Sequence, residues 1–511
     1  MTPLSLAQVA LACGGVVRGG PAAAEVMVTG VAIDSRGVAP GDLFVPLRGD
    51  RVDGADYVAA AYQRGAVACL SQVELVSPTV SSVKNSTPGS GLPALSSVAD
   101  VTASPPSSAL AARPQTPPSF SPNLRWGTLA EARPYVLVES CVQGLKDLAE
   151  YYRAMFDLPV VAVTGSAGKT TTKDMIAAVL GTTLTVLKTA GNRNNEIGLP
   201  LTVFELRHDH DVAVLEMGMN HFGEIHALSR IARPDVAVLT NIGLAHIEHL
   251  GSRQAILAAK SEVFDFMAPG GRVFVNGDDD LLAGLAPAGL RLTTFGLGRS
   301  NDVRADRVVD RGLDGSDLDI RFGDGDTLSL HLATPGRPMI ANALAAAAVG
   351  HDFGLSDQQI VQGMADYAPA GQRLAIVRLD RLTLIDDSYN ANPVAMAAAL
   401  TVLASATGRR VAILGDMLEL GETAVAQHQQ IGRQAANLGL DLIMCAGRLA
   451  HNYAVGAAGG VGDVVVFPDQ ADMLRHLGDW IKDGDTVLVK ASHGMAFQPT
   501  VEWLTRRGTA D

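Results

Sequence analysis

Positive charge is what this sequence is short of. Its 40 Lys and Arg against 53 Asp and Glu leave a formal net charge of -13, so nucleic acid or an anionic membrane would be approached against long-range repulsion. No nucleic-acid partner is expected, and an anionic substrate must be held by local groups. Cysteine is scarce too: Cys13, Cys69, Cys141 and Cys445 lack the spacing of a metal site or a disulfide frame and read as reduced, packed thiols of a cytoplasmic protein. No apolar run approaches the ~18 residues that span a bilayer, so stable membrane insertion is not expected. The opening MTPLSLAQVALACGG reaches Cys13 like a lipoprotein processing site, but it has no basic leader and runs on into folded-looking sequence. Two nucleotide signatures are also missing. No G-x-G-x-x-G follows the apolar strands of the last third of the chain, which argues against a nicotinamide site there, and no N-K-x-D is present to read guanine.

At 511 residues the chain is too long for a single core, and roughly three domains are expected. From Ser71 to about Pro122 the sequence turns to Ser, Pro, Thr and Ala, a composition that cannot bury enough apolar surface to order itself. It reads as a disordered insertion within a small first domain, 1–141, which resumes at the strand RPYVLVES. Residues 142–371 alternate buried strands with helical patterns, as a largely parallel sheet does. Within them DVAVLE (211–216) and DVAVLT (235–240) look like a repeat and are expected to be neighbouring strands. A third α/β segment, 372–511, shows strands at LTLIDDS, RRVAILGDM, DLIMCAG, DVVVFPD and DTVLVKAS.

Chemistry first surfaces in VAVTGSAGKTTTKD (160–173). A buried strand, a glycine loop and a helix start follow one another, and Gly165, Gly168, Lys169 and Thr170 form G-x-x-G-K-T, with Val163 where the longer phosphate-loop pattern has its first glycine. Backbone N–H groups, a helix N-terminus, an ammonium and a hydroxyl are what a nucleotide's phosphates and their Mg²⁺ need. Glu216 ends DVAVLE at the sheet edge where such folds bind ligands, and reads either as a hard oxygen ligand or as a solvated strand end. TNIGLAHIEHLGS carries His246, Glu248 and His249 beyond the same edge, where a lone histidine is more often a surface or packing residue than a ligand. Lys260, between apolar positions of a helical AILAAKSEVFDFM, reads by itself as a snorkelling lysine.

Taken in this order, these segments resemble the Mur ligase family, the ATP-dependent amide-bond-forming enzymes of peptidoglycan precursor synthesis. The resemblance covers nearly the whole chain outside the Ser/Pro stretch and rests on TGSAGKTT (164–171), Glu216, His246 and the K-x-E-V of Lys260 and Glu262. Five further stretches, DSRGVAPGDLFVPLRGDRVDGADYV, TAGNRNNEIGLPLT, IDDSYNANPVAM, GDMLELGE and VKASHGMAF, are similar to the branch that adds D-alanyl-D-alanine. HTPD and D-N-P-R, expected of the member that adds the third amino acid, are absent. A Mur-type ligase with another amine acceptor is the alternative.

The resemblance implies three α/β domains: a small N-terminal UDP-binding domain, a central P-loop ATPase with a parallel sheet, and a Rossmann-like C-terminal domain. It implies ATP and two Mg²⁺ ions, with UDP-N-acetylmuramoyl-tripeptide and D-alanyl-D-alanine as substrates of a monomer. Thr164, Gly165, Ser166, Ala167, Gly168, Lys169, Thr170 and Thr171 would hold the nucleotide, with Asn342 near adenine and Asp387 and Asn390 from the last domain. Thr170, Glu216, His246 and a carbamylated Lys260 would serve the metals, and Arg373 would reach the γ-phosphate from the hinge. Lys169, Lys260, His246 and Arg373 are thus the implied catalytic set. Asp34, Ser35 and Arg36 would take the UDP end, Asn192, Asn194 and Asn195 the muramoyl part, and Ser492 and His493 the peptide side. Pro338 and Met339 stand where the family has His and Asn, AGQR replaces its P-G-R hinge, and His493 stands where Arg is common.

Overall fold

The computed structural model describes residues 1–49, 52–75, 133–245, 247–369, 371–460 and 462–509. Three large sheets follow one another along the chain, beside a small antiparallel pairing of Leu4–Ser5 with Met27–Val28. The first has five strands in the order Val16–Arg18, Tyr135–Leu137, Ala68–Ser71, Asp42–Phe44, Gly30–Ala32, parallel except at the Val16–Arg18 edge. Order extends further into the expected insertion than its composition suggests. Ser71 closes a strand and bonds the Val73 carbonyl, while Glu74 pairs with Arg18 and accepts from the Tyr135 hydroxyl. The remainder of that stretch, 76–122, lies outside the described residues.

The second sheet has nine strands, seven parallel ones from Val186–Lys188 to Val303–Asp310 and then an antiparallel meander through Ser316–Arg321 and Thr327–Leu332. The strand central to the site is Val160–Thr164, third from the Val186–Lys188 edge, whose two-residue period sends Val160 and Ala162 to one face and Val161 and Val163 to the other. On the first face one apolar cluster runs from Leu43 and Leu70 of the first sheet through Leu145 and Leu148 of the helix Cys141–Arg153 to Ala162 and Ala213. The opposite face is covered by the helices Lys169–Leu180 and Arg337–Asp352, where the alanine run 345–348 lets the backbones approach closely. The two DVAVL strands are not neighbours: Val212–Glu216 and Val236–Leu239 flank the central strand on opposite sides. Glu216 comes level with Val163 and Leu239 with Thr164, so three loops leave the same edge of the sheet together.

The third sheet runs in the order Ala375–Arg378, Thr383–Asp386, Thr486–Lys490, Arg410–Gly415, Leu442–Ala446, Asp463–Phe467, antiparallel only at its first strand. All five strands read from the sequence of this segment are present. The four cysteines are free, three of them buried, and no helix among the described residues is long and apolar enough to cross a membrane.

Candidate active site

The loop between the central strand and its helix has a shape only glycine allows at two positions. Gly165 has φ 146° and a Cβ there would lie 1.9 Å from Thr240 Oγ1; Gly168 has φ 82° and its Cβ would lie 2.8 Å from Asn342 Oδ1. Neighbouring segments brace the loop. Ser166 N donates to the Asn241 carbonyl (2.9 Å), Ala167 N to Asn241 Oδ1 (2.9 Å), and Thr240 Oγ1 to the Ala167 carbonyl (2.6 Å). No side chain caps the helix Lys169–Leu180, which leaves its N-terminus open to an anion. Two buried hydroxyls in the same place, Thr164 Oγ1 and Ser166 Oγ, have no hydrogen-bond partner among the described residues, a condition that costs about 1–3 kcal/mol per group until a ligand answers it.

Around this cradle the charged groups are paired sparingly. Glu216 is only 2% exposed; it accepts from the Thr170 hydroxyl and from Asn194 Nδ2, both at 2.7 Å, while its own N–H donates to Thr189 Oγ1. Lys169 Nζ donates to the Gly165 carbonyl at 2.9 Å. Burial lowers its pKa, Glu216 opposes the shift, and Arg373 adds to it. Lys260 is 1% exposed on the helix Arg253–Ser261, so it does not snorkel. Burial, reinforced by the like charge of Lys169, drives its pKa well below the ordinary lysine value. His246 lies outside the described residues. Glu262, two residues beyond Lys260, accepts from Gly223 N (2.8 Å) and His226 N (3.1 Å), placing a carboxylate on the first turn of the helix Glu224–Ala232.

Arg373 reaches the same region from the start of the third sheet, with its guanidinium carbon 3.8 Å from the centroid of the Tyr389 ring. Its neighbours Gln372 (φ 69°) and Leu374 (φ 52°) are both in the left-handed region. That strained turn is secured by Leu374 N donating to Asp387 Oδ1 and Tyr389 N to the Gln372 carbonyl. Asp387 is buried, which raises its pKa, and Lys490 opposes the shift from 2.5 Å. Lys490 also donates to the Asn390 carbonyl, and Asn390 Oδ1 accepts from His493 N (3.3 Å). Asp387 and Asn390 therefore shape the Arg373 turn and the 490–493 loop through their own polar atoms.

Other expected residues are also engaged within the chain. Asn342 Oδ1 accepts from the Thr172 hydroxyl and backs the glycine loop. Its Nδ2 points to Met339 Sδ at 3.8 Å. Asn194 belongs to Glu216, the Asn192 carbonyl accepts from Asn194 N, and Asn195 Oδ1 accepts from Ile197 N and Gly198 N at the start of the helix Gly198–Val203. Asp34 and Arg36 form an exposed pair at 2.6 Å that holds the Asp34 carboxyl down to about 2, with Ser35 buried between them. Sequence reading missed Thr240 and Asn241, which brace the phosphate loop, and Tyr389 beneath Arg373. Thr240 and Asn241 carried a signal: small polar residues directly follow an apolar strand.

Residues 27–90 match the Mur ligase family catalytic domain, 163–350 the Mur ligase middle domain and 372–493 the Mur ligase glutamate ligase domain. The UDP-N-acetylmuramoyl-tripeptide–D-alanyl-D-alanine ligase of Bacillus subtilis (strain 168) is 34% identical over 94% of this chain and 93% of its own length. The enzyme of the same name from Escherichia coli (strain K12) is 32% identical over 95% and 96%. Among solved structures, MurF from Acinetobacter baumannii superposes with a TM-score of 0.82 at 28% identity over 99% of both chains. MurF ligase from Thermotoga maritima in complex with ADP gives 0.74 at 26% identity over 94% and 97%. A glycine cradle with unanswered hydroxyls, a paired strand-end carboxylate and a buried lysine thus sit in a chain matched along nearly its whole length, and the chain belongs to the Mur ligase family.

Proposed function

We propose that this protein is an ATP-dependent ligase joining D-alanyl-D-alanine to the terminal carboxylate of UDP-N-acetylmuramoyl-tripeptide, with release of ADP and phosphate, in the cytoplasm. The observation that carries the reading is the convergence of Lys169, the Thr170–Glu216 pair and the buried Lys260 around a phosphate cradle whose own hydroxyls lack partners. Residues 1–141 would hold the UDP-sugar through Asp34, Ser35 and Arg36, 142–371 the nucleotide, and 372–511 the dipeptide beside Ser492 and His493.

A carboxylate is a poor electrophile until phosphorylated, and the acyl phosphate then offers the attacking amine a good leaving group. The cradle fits a triphosphate: N–H groups and Lys169 meet phosphate oxygens, and Thr164 and Ser166 supply donors that nothing in the described chain uses. The oxygens of Glu216 and Thr170 fit Mg²⁺, which when bound supplies charge that offsets the negative charge developing on the transferring phosphoryl group. A second ion would draw on His246 and Lys260. A lysine driven toward its neutral form is the nucleophile that CO₂ requires, and the resulting carbamate replaces a cation with a carboxylate-like ligand. Arg373 would cover the γ-phosphoryl group on domain closure, which also keeps water from the acyl phosphate.

The test measures ADP release by purified protein with Mg-ATP and the UDP-muramoyl tripeptide, with and without D-alanyl-D-alanine, followed by product mass. Release that requires the dipeptide, with its mass added less one water, is the expected result. Release satisfied by a single amino acid would move the reading to another acceptor.

A further inference from the structure

The loop 416–422, carrying DMLELGE, leaves the carboxyl edge of the third sheet and reaches the ATPase half. A Cβ on Gly421 would stand 3.6 Å from Cγ of Glu248, on the short helix Ile247–Leu250 that follows position 246. Two groups hold the loop where it starts. Met417 N donates to His428 Nε2 (3.0 Å), and Leu418 N donates to Ser492 Oγ (2.9 Å). Beyond them Glu419 (φ 60°) and Gly421 (φ 52°) both take left-handed backbone, strained for the glutamate, which persists only where the surroundings impose it.

His428 is fully buried on the helix Ala424–Asn437, and its two partners fix its chemistry. The Ala424 carbonyl, 2.6 Å from Nδ1, can only accept, and the Met417 amide can only donate, so the ring is neutral with its proton on Nδ1. Burial favours the neutral ring, against the opposing pull of the Ala424 bond and the charge of Asp416. Tyr453 closes the pocket, with ring centroids 4.8 Å apart and its hydroxyl on the Gly415 carbonyl. Asp416 itself is occupied, accepting from Leu449 N.

We propose that His428 is a positioning residue for the ligation step: it sets the 416–422 loop against both the Glu248 turn and the Ser492–His493 segment, fixing the amine-acceptor side of the closed site. This rests on the proposed ligase activity for its kinetic consequence. The Ser492 hydroxyl is the shared element, since it holds Leu418 N and stands next to His493. Losing the His428 anchor should therefore disturb the dipeptide and leave the nucleotide cradle, built on another sheet, as it is.

The experiment compares His428→Phe, which keeps a ring but loses both bonds, with His428→Gln, whose amide oxygen can accept from Met417 N. For His428→Phe the expected result is a rise of about tenfold in KM for D-alanyl-D-alanine with KM for ATP within about twofold, and faster amide exchange in 416–422 but not in 169–180. The glutamine variant should recover most of both. An unchanged dipeptide KM, or parallel losses for ATP and dipeptide that track a lowered melting midpoint, would overturn the proposal. Should the wild-type protein fail to add the dipeptide, the ligase reading falls by itself. Amide exchange then judges His428, and unaltered protection of 416–422 in His428→Phe would dismiss it.

Discussion

At Gly165 a methyl group has nowhere to go. The backbone angle is one that side chains rarely adopt, and the space is already held by Thr240. Gly165→Ala must shift Thr240, and with it the bond that braces the Ala167 carbonyl, so strain of about 1–3 kcal/mol falls on the phosphate loop itself. ATP affinity should drop by more than about tenfold while the melting midpoint moves little; calorimetric titration checks this, and undiminished binding would contradict the role of the cradle. Lys260 offers a test of opposite sign. Its folded-state pKa lies below the unfolded value, so between the two the unfolded chain binds the extra proton and stability rises with pH, by at most about 1.4 kcal/mol per pH unit. Lys260→Met should remove that slope and raise the unfolding midpoint near neutral pH in CO₂-free buffer, while abolishing turnover. Lys260→Ala should regain part of its activity with small carboxylates in solution. Identical pH slopes in wild type and Lys260→Met would mean that the amine is not forced neutral.

The strands of the third segment could be read from valine- and leucine-rich runs alone, because a strand covered on both faces has to be apolar almost throughout. What such runs do not encode is order within a sheet. DVAVLE and DVAVLT fit any pair of inner positions, and only the crossover connections decide that they flank the central strand. Helical spacing likewise puts Lys260 on an apolar face, but depth depends on what lies opposite, and its neighbours Ile256, Ala259 and Val263 are packed into the large core on the first face of the second sheet. The cluster of glycine loop, Glu216 and Lys260 was therefore visible as a motif set, whereas the bracing by Thr240, Asn241 and Asn342 was not, since it depends on which loops meet at the sheet edge. The Asp387–Lys490 pair belongs to this scale because it ties the end of one strand to the turn beyond its neighbour. Asp387→Ala leaves a buried ammonium without a counter-charge and should cost about 3–5 kcal/mol. Fluorescence-detected unfolding checks this, since Trp480 and Trp503, two of the three tryptophans, lie in this segment. Asp387→Leu combined with Lys490→Met should recover much of the loss.

For the molecule as a whole, the decisive relation is electrostatic and links the second and third sheets. Arg373 is close enough to Lys169 to lower its pKa, yet its backbone belongs to the third segment and its side chain is stacked on Tyr389. Arg373→Ala should therefore lower kcat by about 100-fold or more with a small change in ATP affinity, and Arg373→Lys, which keeps the charge but not the planar stack, should fall between. Rapid-quench measurement of acyl phosphate would place the defect at phosphoryl transfer, and a loss confined to KM for ATP would contradict it.

The strand order described above also bears on how the protein comes into being. Its phosphate loop is written early, at 165–168, but the groups that brace and charge it come from Glu216, Thr240, Lys260, Asn342 and finally Arg373. A chain still emerging from the ribosome possesses the loop long before it possesses the site. A chain that stops short of the hinge is therefore expected to leave ATP unhydrolysed, since it lacks the Arg373 guanidinium, and hydrolysis by a fragment ending at residue 369 would contradict this.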